Sequence, residues 1–298
     1  MTRTLENIKI VRDAPIKTWF GVGGVADTLV IPGDTDQLRE ILEDHRGAPL
    51  RVLGDGANLL VDDDGIDGVV IDTRRLDGVE RLEPARWRVG AGLRLAKLTV
   101  ECARQGLRGV EGLAGVPASI GGALRMNAGG RYGQIADVVE SVDVMDLESG
   151  TIRTLGRDEI AFGYRTSGLE RHVVLGGVLR FECDEPESVR ADLKRVMREK
   201  KRSQPLGERS AGCAFKNPLV DGERVSAGRL LDECGCKGLR AGGASISHDH
   251  ANFVVTSPGA RARDVIELLD RVGVIVHERR GVDLEREIVC WKRGQDHG

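Results

Sequence analysis

The sequence is poor in aromatic residues, which make up 3% of it. Proteins that bind single-stranded nucleic acid stack bases on aromatic rings beside basic side chains, and no such pattern occurs here. The chain also lacks a large net charge, since 44 basic and 47 acidic residues leave -3. No overall field therefore attracts nucleic acid or anionic lipid. We expect no nucleic-acid partner and only local anion sites.

Long hydrophobic runs are also missing. No stretch approaches the roughly 18 apolar residues of a membrane-spanning helix, and the N-terminal segment lacks the apolar centre of a secretory signal. We expect a cytoplasmic protein with no membrane partner, present as a monomer or a weak homo-oligomer. Six scattered cysteines should then be reduced thiols. Cys234, Cys236, His248 and His250 lack the usual spacing of zinc ligands, so we expect no metal.

A chain of 298 residues predicts two or three domains. Short strands alternate with helices in a pattern typical of an α+β fold with mixed or antiparallel sheets. Strands are predicted at 27–33, 50–54, 68–73, 86–92 and 284–291, and helices at 36–44 (capped by Asp34 or Thr35), 93–105, 185–202 and 226–235. A further helix has one apolar face formed by Val265, Leu268, Leu269, Val272, Ile275 and Val276, the spacing of a buried helix side.

The 40 glycines concentrate at 21–24, 54–56 and 106–133. Glycine serves where the backbone takes positive φ or approaches a ligand closely, so these clusters either line one extended site or form ordinary turns. Gly54 and Gly56 directly follow a predicted strand, but Leu59 stands where a dinucleotide-binding fingerprint needs its third glycine. A nest of backbone amides there is still suited to a diphosphate.

The last of the three glycine clusters contains the stretch GVEGLAGVPASIGGALRMNAGGRYG, at 109–133. Pro117 fixes its own φ, and we expect the amides of the residues after it to be free to face a ligand. Asn127, Ala128 and Gly129 form a second point of close approach. Loops longer than roughly 12 to 15 residues are usually functional or disordered, which favours a binding role over a purely structural one.

Six separated motifs give the chain a resemblance to a known family. They are TWFGVGGVAD (18–27), GDGANLLV (54–61), GLAGVPASIGGALRMNAG (112–129), FGYRTS (162–167), SAGCAFKNP (210–218) and LEREI (284–288). In this order they resemble the UDP-N-acetylenolpyruvoylglucosamine reductase (MurB) family over nearly the whole chain. No tyrosine follows Tyr164, so the chain resembles the shorter subclass that lacks a tyrosine loop.

The resemblance implies an FAD-binding fold of the vanillyl-alcohol-oxidase-like type and a C-terminal α+β substrate-binding domain. We place the two FAD-binding subdomains at 1–72 and 73–203, and the C-terminal domain at 204–298. The implied reaction reduces UDP-N-acetylglucosamine enolpyruvate to UDP-N-acetylmuramate for peptidoglycan synthesis, with FAD and NADPH or NADH as cofactors. The implied FAD-binding residues are Gly54, Asp55, Gly56, Ala57, Asn58, Leu59, Gly115, Pro117, Ser119, Ile120, Gly121, Gly122, Asn127, Ala128 and Gly129.

Three residues match the family's catalytic positions. Arg165 corresponds to an arginine whose planar guanidinium suits a carboxylate. Glu287 corresponds to a glutamate, although Glu285 has the same strand parity and alternation alone does not choose between them. Cys213 stands where the family usually has serine. Because a free thiol has a pKa near 8.5, we interpret Cys213 as a substitute general acid, the alternative being a buried structural thiol.

The implied substrate-binding residues are Lys201, Lys216, Asn217 and His250. One departure from the family's GGGSN-like loop is GDGAN, whose Ala57 removes a hydroxyl contact to the FAD diphosphate. Two other hypotheses remain at this stage: another FAD-linked oxidase of the same fold, and a flavin-binding protein that has lost catalysis. Only His45 precedes the glycine-rich stretch, so a covalent histidyl flavin has little support.

Overall fold

A computed structural model describes residues 8–295. The first part of the chain forms a mixed sheet covered by one helix. Its elements are β1 (Lys9–Pro15), β2 (Val25–Ile31), α1 (Thr35–Asp44), β3 (Leu50–Leu53), β4 (Leu59–Val61) and β5 (Ile66–Asp72). The spatial order is β1-β2-β5-β3, antiparallel between β1 and β2 and parallel elsewhere. The Asp34 side chain caps α1 by accepting the Gln37 N–H at 2.8 Å, as one predicted alternative required.

The second part is built on a five-stranded antiparallel sheet of order β12-β11-β13-β7-β6. Its elements are β6 (Val79–Glu83), β7 (Arg86–Gly90), α2 (Leu95–Gln105), β8 (Leu107–Arg108), α3 (Ile120–Arg125), β9 (Gly129–Gly130), β10 (Gly133–Gln134), β11 (Val139–Asp146), β12 (Ile152–Gly156), β13 (His172–Arg180), β14 (Glu182–Cys183) and α4 (Pro186–Ser203). Trp87 on β7 lies in the core between this sheet and α2 and α3. Gly106 ends α2 with φ 71°, a left-handed cap that glycine adopts without strain.

The third part packs a long helix against a small sheet. Its elements are β15 (Leu219–Val220), β16 (Glu223–Arg224), α5 (Ala227–Glu233), β17 (Arg240–Ala241), β18 (Ala244–Ile246), β19 (Val254–Thr256), α6 (Ala262–Arg280) and β20 (Val289–Trp291). The predicted apolar face of α6 is confirmed, with Ile275 partly buried and the other five side chains buried. Within residues 8–295, no helix is both long and apolar enough to cross a membrane.

The prediction of a continuous last strand at 284–291 is wrong, because β20 begins only at Val289. Before it, the main chain pairs with another segment: the Glu287 N–H donates to Ala214 O at 2.8 Å. From Val289 onwards the chain pairs in parallel with β4. The chain thus pairs with the segment around Ala214 before Ile288 and with β4 after it. It therefore forms no continuous strand over 284–291.

Arg51 connects this C-terminal segment to the first sheet. Its side chain is only 3% exposed, and its guanidinium donates to the carbonyls of Asp67 at 2.9 Å, Lys292 at 3.2 Å and Gln295 at 2.6 Å. Because Arg51 is buried, its charge would keep its desolvation cost without compensation if these acceptors were lost. The hydrogen bonds of Arg51 therefore join the first sheet to residues 292 and 295.

Two valines of α6 provide a matched test of this packing. Val272 is fully buried and Val274 is 55% exposed. We expect Val272→Ala to lower the free energy of unfolding by about 2 kcal/mol, because it removes buried methyl groups and leaves a cavity. Val274→Ala should change it by less than about 0.5 kcal/mol. Urea unfolding followed by circular dichroism measures both, and equal losses would contradict the assigned helix face.

Candidate active site

Arg165 and Glu287 form an ion pair between segments that are distant in sequence. The distance from Arg165 Nε to Glu287 Oε1 is 2.5 Å, and the side chains are 18% and 10% exposed. Arg165 Nη1 also donates to Gly129 O at 2.8 Å. The backbone of Arg165 has φ 60°, a conformation that is uncommon for residues other than glycine and often found at functional sites. The guanidinium is thus held between a carboxylate and a carbonyl of the glycine-rich stretch.

The structure distinguishes the two glutamates that sequence alternation left open. The side chain of Glu285 is 72% exposed and pairs with Lys216 Nζ at 2.6 Å. Only Glu287 meets Arg165. Burial raises the pKa of the Glu287 carboxyl, while the charge of Arg165 opposes that rise. Arg165 therefore favours the charged form of a carboxyl group whose burial favours the neutral form.

Cys213 precedes Ala214, whose carbonyl accepts the Glu287 N–H at 2.8 Å. Its main chain forms an isolated bridge with Phe253, and its side chain is half-buried. Burial, together with the Glu287 carboxylate, raises the pKa of the Cys213 thiol to about 12, against the opposing effect of Arg165. The value near 8.5 expected for a free thiol therefore does not apply. The sulfur keeps its proton at neutral pH, as a general acid requires.

Asn252 holds the segment that carries Cys213. It is 2% exposed, and its side-chain amide exchanges two hydrogen bonds with the main chain of Phe215, at 2.9 Å and 2.8 Å. Its own carbonyl accepts the Ala214 N–H at 2.7 Å. Sequence reasoning missed this role, because a buried asparagine and a ligand-binding asparagine look the same in one sequence.

Two of the glycine-rich loops lie against each other. A Cβ atom added to Gly54 would come within 2.4 Å of Ser119 Oγ, so a side chain at position 54 would separate the loops. The N–H groups of Asp55, Gly56 and Ala57 have no acceptor within residues 8–295. Successive unpaired amides of this kind form a concave site for an anion. This loop retains the donors that a diphosphate needs.

The expectation of free amides after Pro117 is wrong for the start of α3. The N–H groups of Ile120 and Gly121 donate to Leu93 O and Ala91 O, both at 2.8 Å. The Gly122 N–H donates to Ser119 Oγ at 3.3 Å. These amides join α3 to the end of β7 and the turn before α2, so the helix start is used for packing.

Two polar side chains of the loop at 54–58 also have partners within the protein. Asn58 Nδ2 donates to Glu287 O at 3.0 Å, although the resemblance implied that Asn58 binds FAD. The Asp55 carboxylate accepts the Trp19 Nε1–H at 3.2 Å and lies 3.9 Å from Arg94 Nε. Its negative charge is therefore close to a cation, which reduces its repulsion of a neighbouring phosphate.

Lys200 contacts the glycine-rich stretch at 109–133, and sequence reasoning missed it. Lys201 is exposed on α4, whereas Lys200 Nζ donates to Ala114 O at 2.6 Å and lies 3.4 Å from Gly112 O. Burial lowers the pKa of Lys200 to about 8. The buried side of α4 includes Val196, and position 200 continues that face one turn later. Helical periodicity was the signal that distinguishes the two lysines.

The remaining predicted substrate residues fall in two places. The Asn217 N–H donates to the Tyr164 hydroxyl at 3.1 Å, next to Arg165 in sequence, and Lys216 is joined to Glu285. His250 lies against α5, where its ring occupies the space beside Gly228 and its Nδ1 accepts the Asn252 N–H at 3.2 Å. Burial lowers the pKa of His250. The structure thus brings Lys216 and Asn217 close to the turn that carries Arg165 and engages His250 within its own loop.

Comparison with known proteins adds an independent observation. A family model described as UDP-N-acetylenolpyruvoylglucosamine reductase, C-terminal domain, matches residues 204–291. One described as FAD binding domain matches residues 26–156.

Relatives carry the same name over nearly the whole chain. The UDP-N-acetylenolpyruvoylglucosamine reductase of Thermus thermophilus is 44% identical, covering 91% of this chain and 95% of its own. That of Geobacter metallireducens is 38% identical, covering 94% and 93%. The crystal structure of the reductase from Thermus caldophilus superposes with a TM-score of 0.81 at 40% identity, covering 96% of this chain and 99% of that one. This chain therefore belongs to the UDP-N-acetylenolpyruvoylglucosamine reductase family.

Proposed function

We propose that this protein reduces UDP-N-acetylglucosamine enolpyruvate to UDP-N-acetylmuramate, using FAD and NADPH, or NADH, in the synthesis of peptidoglycan precursors. Its relatives carry the name of this activity over nearly their full length. The observation that supports the proposal is the ion pair of Arg165 with Glu287, whose N–H is bound to the carbonyl of Ala214, the residue after Cys213. An arginine, a carboxylate and a protonated thiol form a set suited to protonating a carbon next to a carboxylate.

The loop at 54–58 fits an FAD diphosphate. The unpaired amides of Asp55, Gly56 and Ala57 are donors for its oxygens, and Arg94 adds a nearby positive charge. The other FAD contacts that we propose are made by the loops at 115–122 and 127–129. When bound, reduced FAD supplies the hydride for the reaction.

The protein's own residues then control the substrate carboxylate and the proton. Negative charge builds on the carboxylate as the double bond is reduced, and the Arg165 guanidinium offers it hydrogen bonds in a buried setting. The Cys213 thiol donates its proton to the carbon next to the carboxylate, and the resulting thiolate recovers a proton from water. Glu287 holds Arg165 in place and shares a proton with the reaction intermediate.

Substrate binding and cellular context complete the proposal. Lys201, Lys216, Asn217 and His250 are assigned to the UDP-sugar, with Asn217 beside the Arg165 turn. The subdomains at 1–72 and 73–203 would hold FAD, and the domain at 204–298 would close over the substrate. The enzyme would act in the cytoplasm as a monomer or a weak homo-oligomer and supply wall precursors for cell shape and division.

An anaerobic half-reaction experiment tests the function. We expect purified protein to be yellow, to be bleached by NADPH, and to regain its flavin colour when UDP-N-acetylglucosamine enolpyruvate is added. Arg165→Ala should retain flavin and its reduction but lose ~10² to 10³ in the rate of reoxidation, because the carboxylate loses its charged partner. Reduced wild-type protein that the substrate fails to reoxidise would indicate a flavoprotein without this activity.

Substitutions at Cys213 test the proton donor. Cys213→Ser should remain active because a hydroxyl occupies nearly the same space and also donates a proton. Cys213→Ala should lower turnover by ~10² or more, since general acid catalysis contributes about that much. Both are measured as steady-state kcat at equal flavin content. Normal turnover in the alanine variant would remove Cys213 from the mechanism.

The raised pKa of Cys213 predicts slow alkylation. At pH 8 a thiol with a pKa of about 12 is ionised in roughly one molecule in 10⁴, and the thiolate is the reactive form. Iodoacetamide should therefore label the exposed Cys183 well before Cys213. Labelling of Cys213 should accelerate about tenfold per pH unit up to pH 10. Peptide mass spectrometry follows both sites, and similar rates at pH 8 would contradict the protonated thiol.

A further inference from the structure

Asn127 has a buried side chain whose contacts all lie within the protein. It is 3% exposed. Its Nδ2 donates to Gly163 O at 2.9 Å and to Gln134 Oε1 at 3.0 Å, and its Oδ1 accepts the Ala136 N–H at 3.3 Å. A side-chain amide has two N–H donors and one carbonyl acceptor. Both donors and the acceptor are engaged, so this side chain has no donor left for a cofactor or substrate.

The Gly163 carbonyl belongs to the turn that presents Arg165. Gly163 and Thr166 form an isolated bridge, with the Gly163 N–H donating to Thr166 O at 3.0 Å. Tyr164 and Arg165 lie at the tip of this turn. A fixed carbonyl at Gly163 therefore sets the position from which the Arg165 side chain extends.

The same short segment also contacts the guanidinium itself. Gly129, two residues after Asn127, accepts from Arg165 Nη1 at 2.8 Å. The segment 127–129 thus holds the arginine at both ends: the side chain of Asn127 holds the main chain of its turn, and the carbonyl of Gly129 holds its charged group. With φ 41° at Asn127, the segment uses a left-handed conformation that asparagine tolerates better than most residues.

We propose that Asn127 is a positioning residue for Arg165, acting through the Gly163 carbonyl. The inference rests on the proposed function, because it assigns Arg165 to the substrate carboxylate. It gives Asn127 a role separate from FAD contacts made by the main chain of the same segment. Reduction of the flavin by NADPH does not use the Arg165–carboxylate contact, whereas reoxidation by the enolpyruvyl substrate does. Asn127 should therefore affect the second half-reaction selectively.

Asn127→Asp is the sharpest variant. It keeps the size and the tolerance of positive φ, but it replaces the Nδ2 donor with an acceptor that faces the oxygens of Gly163 and Gln134. We expect the turn to shift, the reoxidation rate to fall ~10-fold to 10²-fold, and flavin content and the rate of flavin reduction to stay within about threefold. Stopped-flow absorbance of the flavin under anaerobic conditions measures both rates.

Gln134→Ala is the matched control. It removes the other acceptor of Asn127 Nδ2, at an exposed position where water replaces it, and leaves the bond to Gly163. Both half-reactions should match the wild type. Equal losses in Gln134→Ala and Asn127→Asp would overturn the inference, as would equal losses in the two half-reactions of Asn127→Asp.

Two further measurements exclude general destabilisation. Combining Asn127→Asp with Arg165→Ala should slow reoxidation no more than Arg165→Ala alone, because residues that act through one another are not additive. In Asn127→Asp, reoxidation should recover as pH falls and the introduced carboxyl gains a donating proton, relative to wild type at each pH. If Asn127→Asp retains too little flavin, Asn127→Gly, which keeps the positive φ, carries the same rate test.

The outcomes separate the two claims. Wild-type protein that the substrate does not reoxidise would overturn the proposed function and this inference with it. Wild-type protein that is reoxidised normally, with Asn127→Asp equally fast, would overturn the inference alone. Additive losses in the double variant would likewise assign Asn127 an effect independent of Arg165.

Discussion

The site depends on the way in which Asn58 holds the C-terminal segment of the chain. Its side chain donates to Glu287 O at 3.0 Å, and its carbonyl accepts the Val289 N–H at 3.1 Å. On the other side, the Glu287 N–H is bound to Ala214 O. Glu287 is therefore fixed through both polar groups of its main chain, between the first glycine-rich loop and the segment that follows Cys213. From this fixed position its carboxylate reaches Arg165.

The positive charge of Arg165 acts on both of the other groups of the site. Arg165 is the cation that opposes the desolvation of Glu287 and also limits the rise in the pKa of Cys213. Because each of these groups alters the proton affinity of another, the state of the thiol is a property of the whole cluster. In the proposed mechanism, a substrate carboxylate that approaches Arg165 competes with Glu287 for the same guanidinium. The proposed mechanism thus links substrate binding to proton control through Arg165.

Features set by local patterns were predictable from the sequence, and those set by contacts between distant segments were not. The apolar face of α6 and the Asp34 cap follow from spacing within one element. The choice of Glu287 over Glu285 depends on a contact with Arg165, 122 residues earlier in the chain, which no alternation reveals. The amides of Ile120 and Gly121 looked free because their acceptors, Leu93 and Ala91, lie in a separate part of the sequence. Family motifs selected the candidate residues, but the partners of each side chain required the fold.

The buried charge of Arg51 has a consequence for the order in which the molecule is made. Two of its acceptors lie 241 and 244 residues further along the chain. Until these residues are synthesised, the Arg51 guanidinium lacks two of its three carbonyl acceptors and has only that of Asp67. Domains generally begin to fold from the N-terminus during translation. Here the first sheet can reach its final stability only after the ribosome has added the residues near position 295.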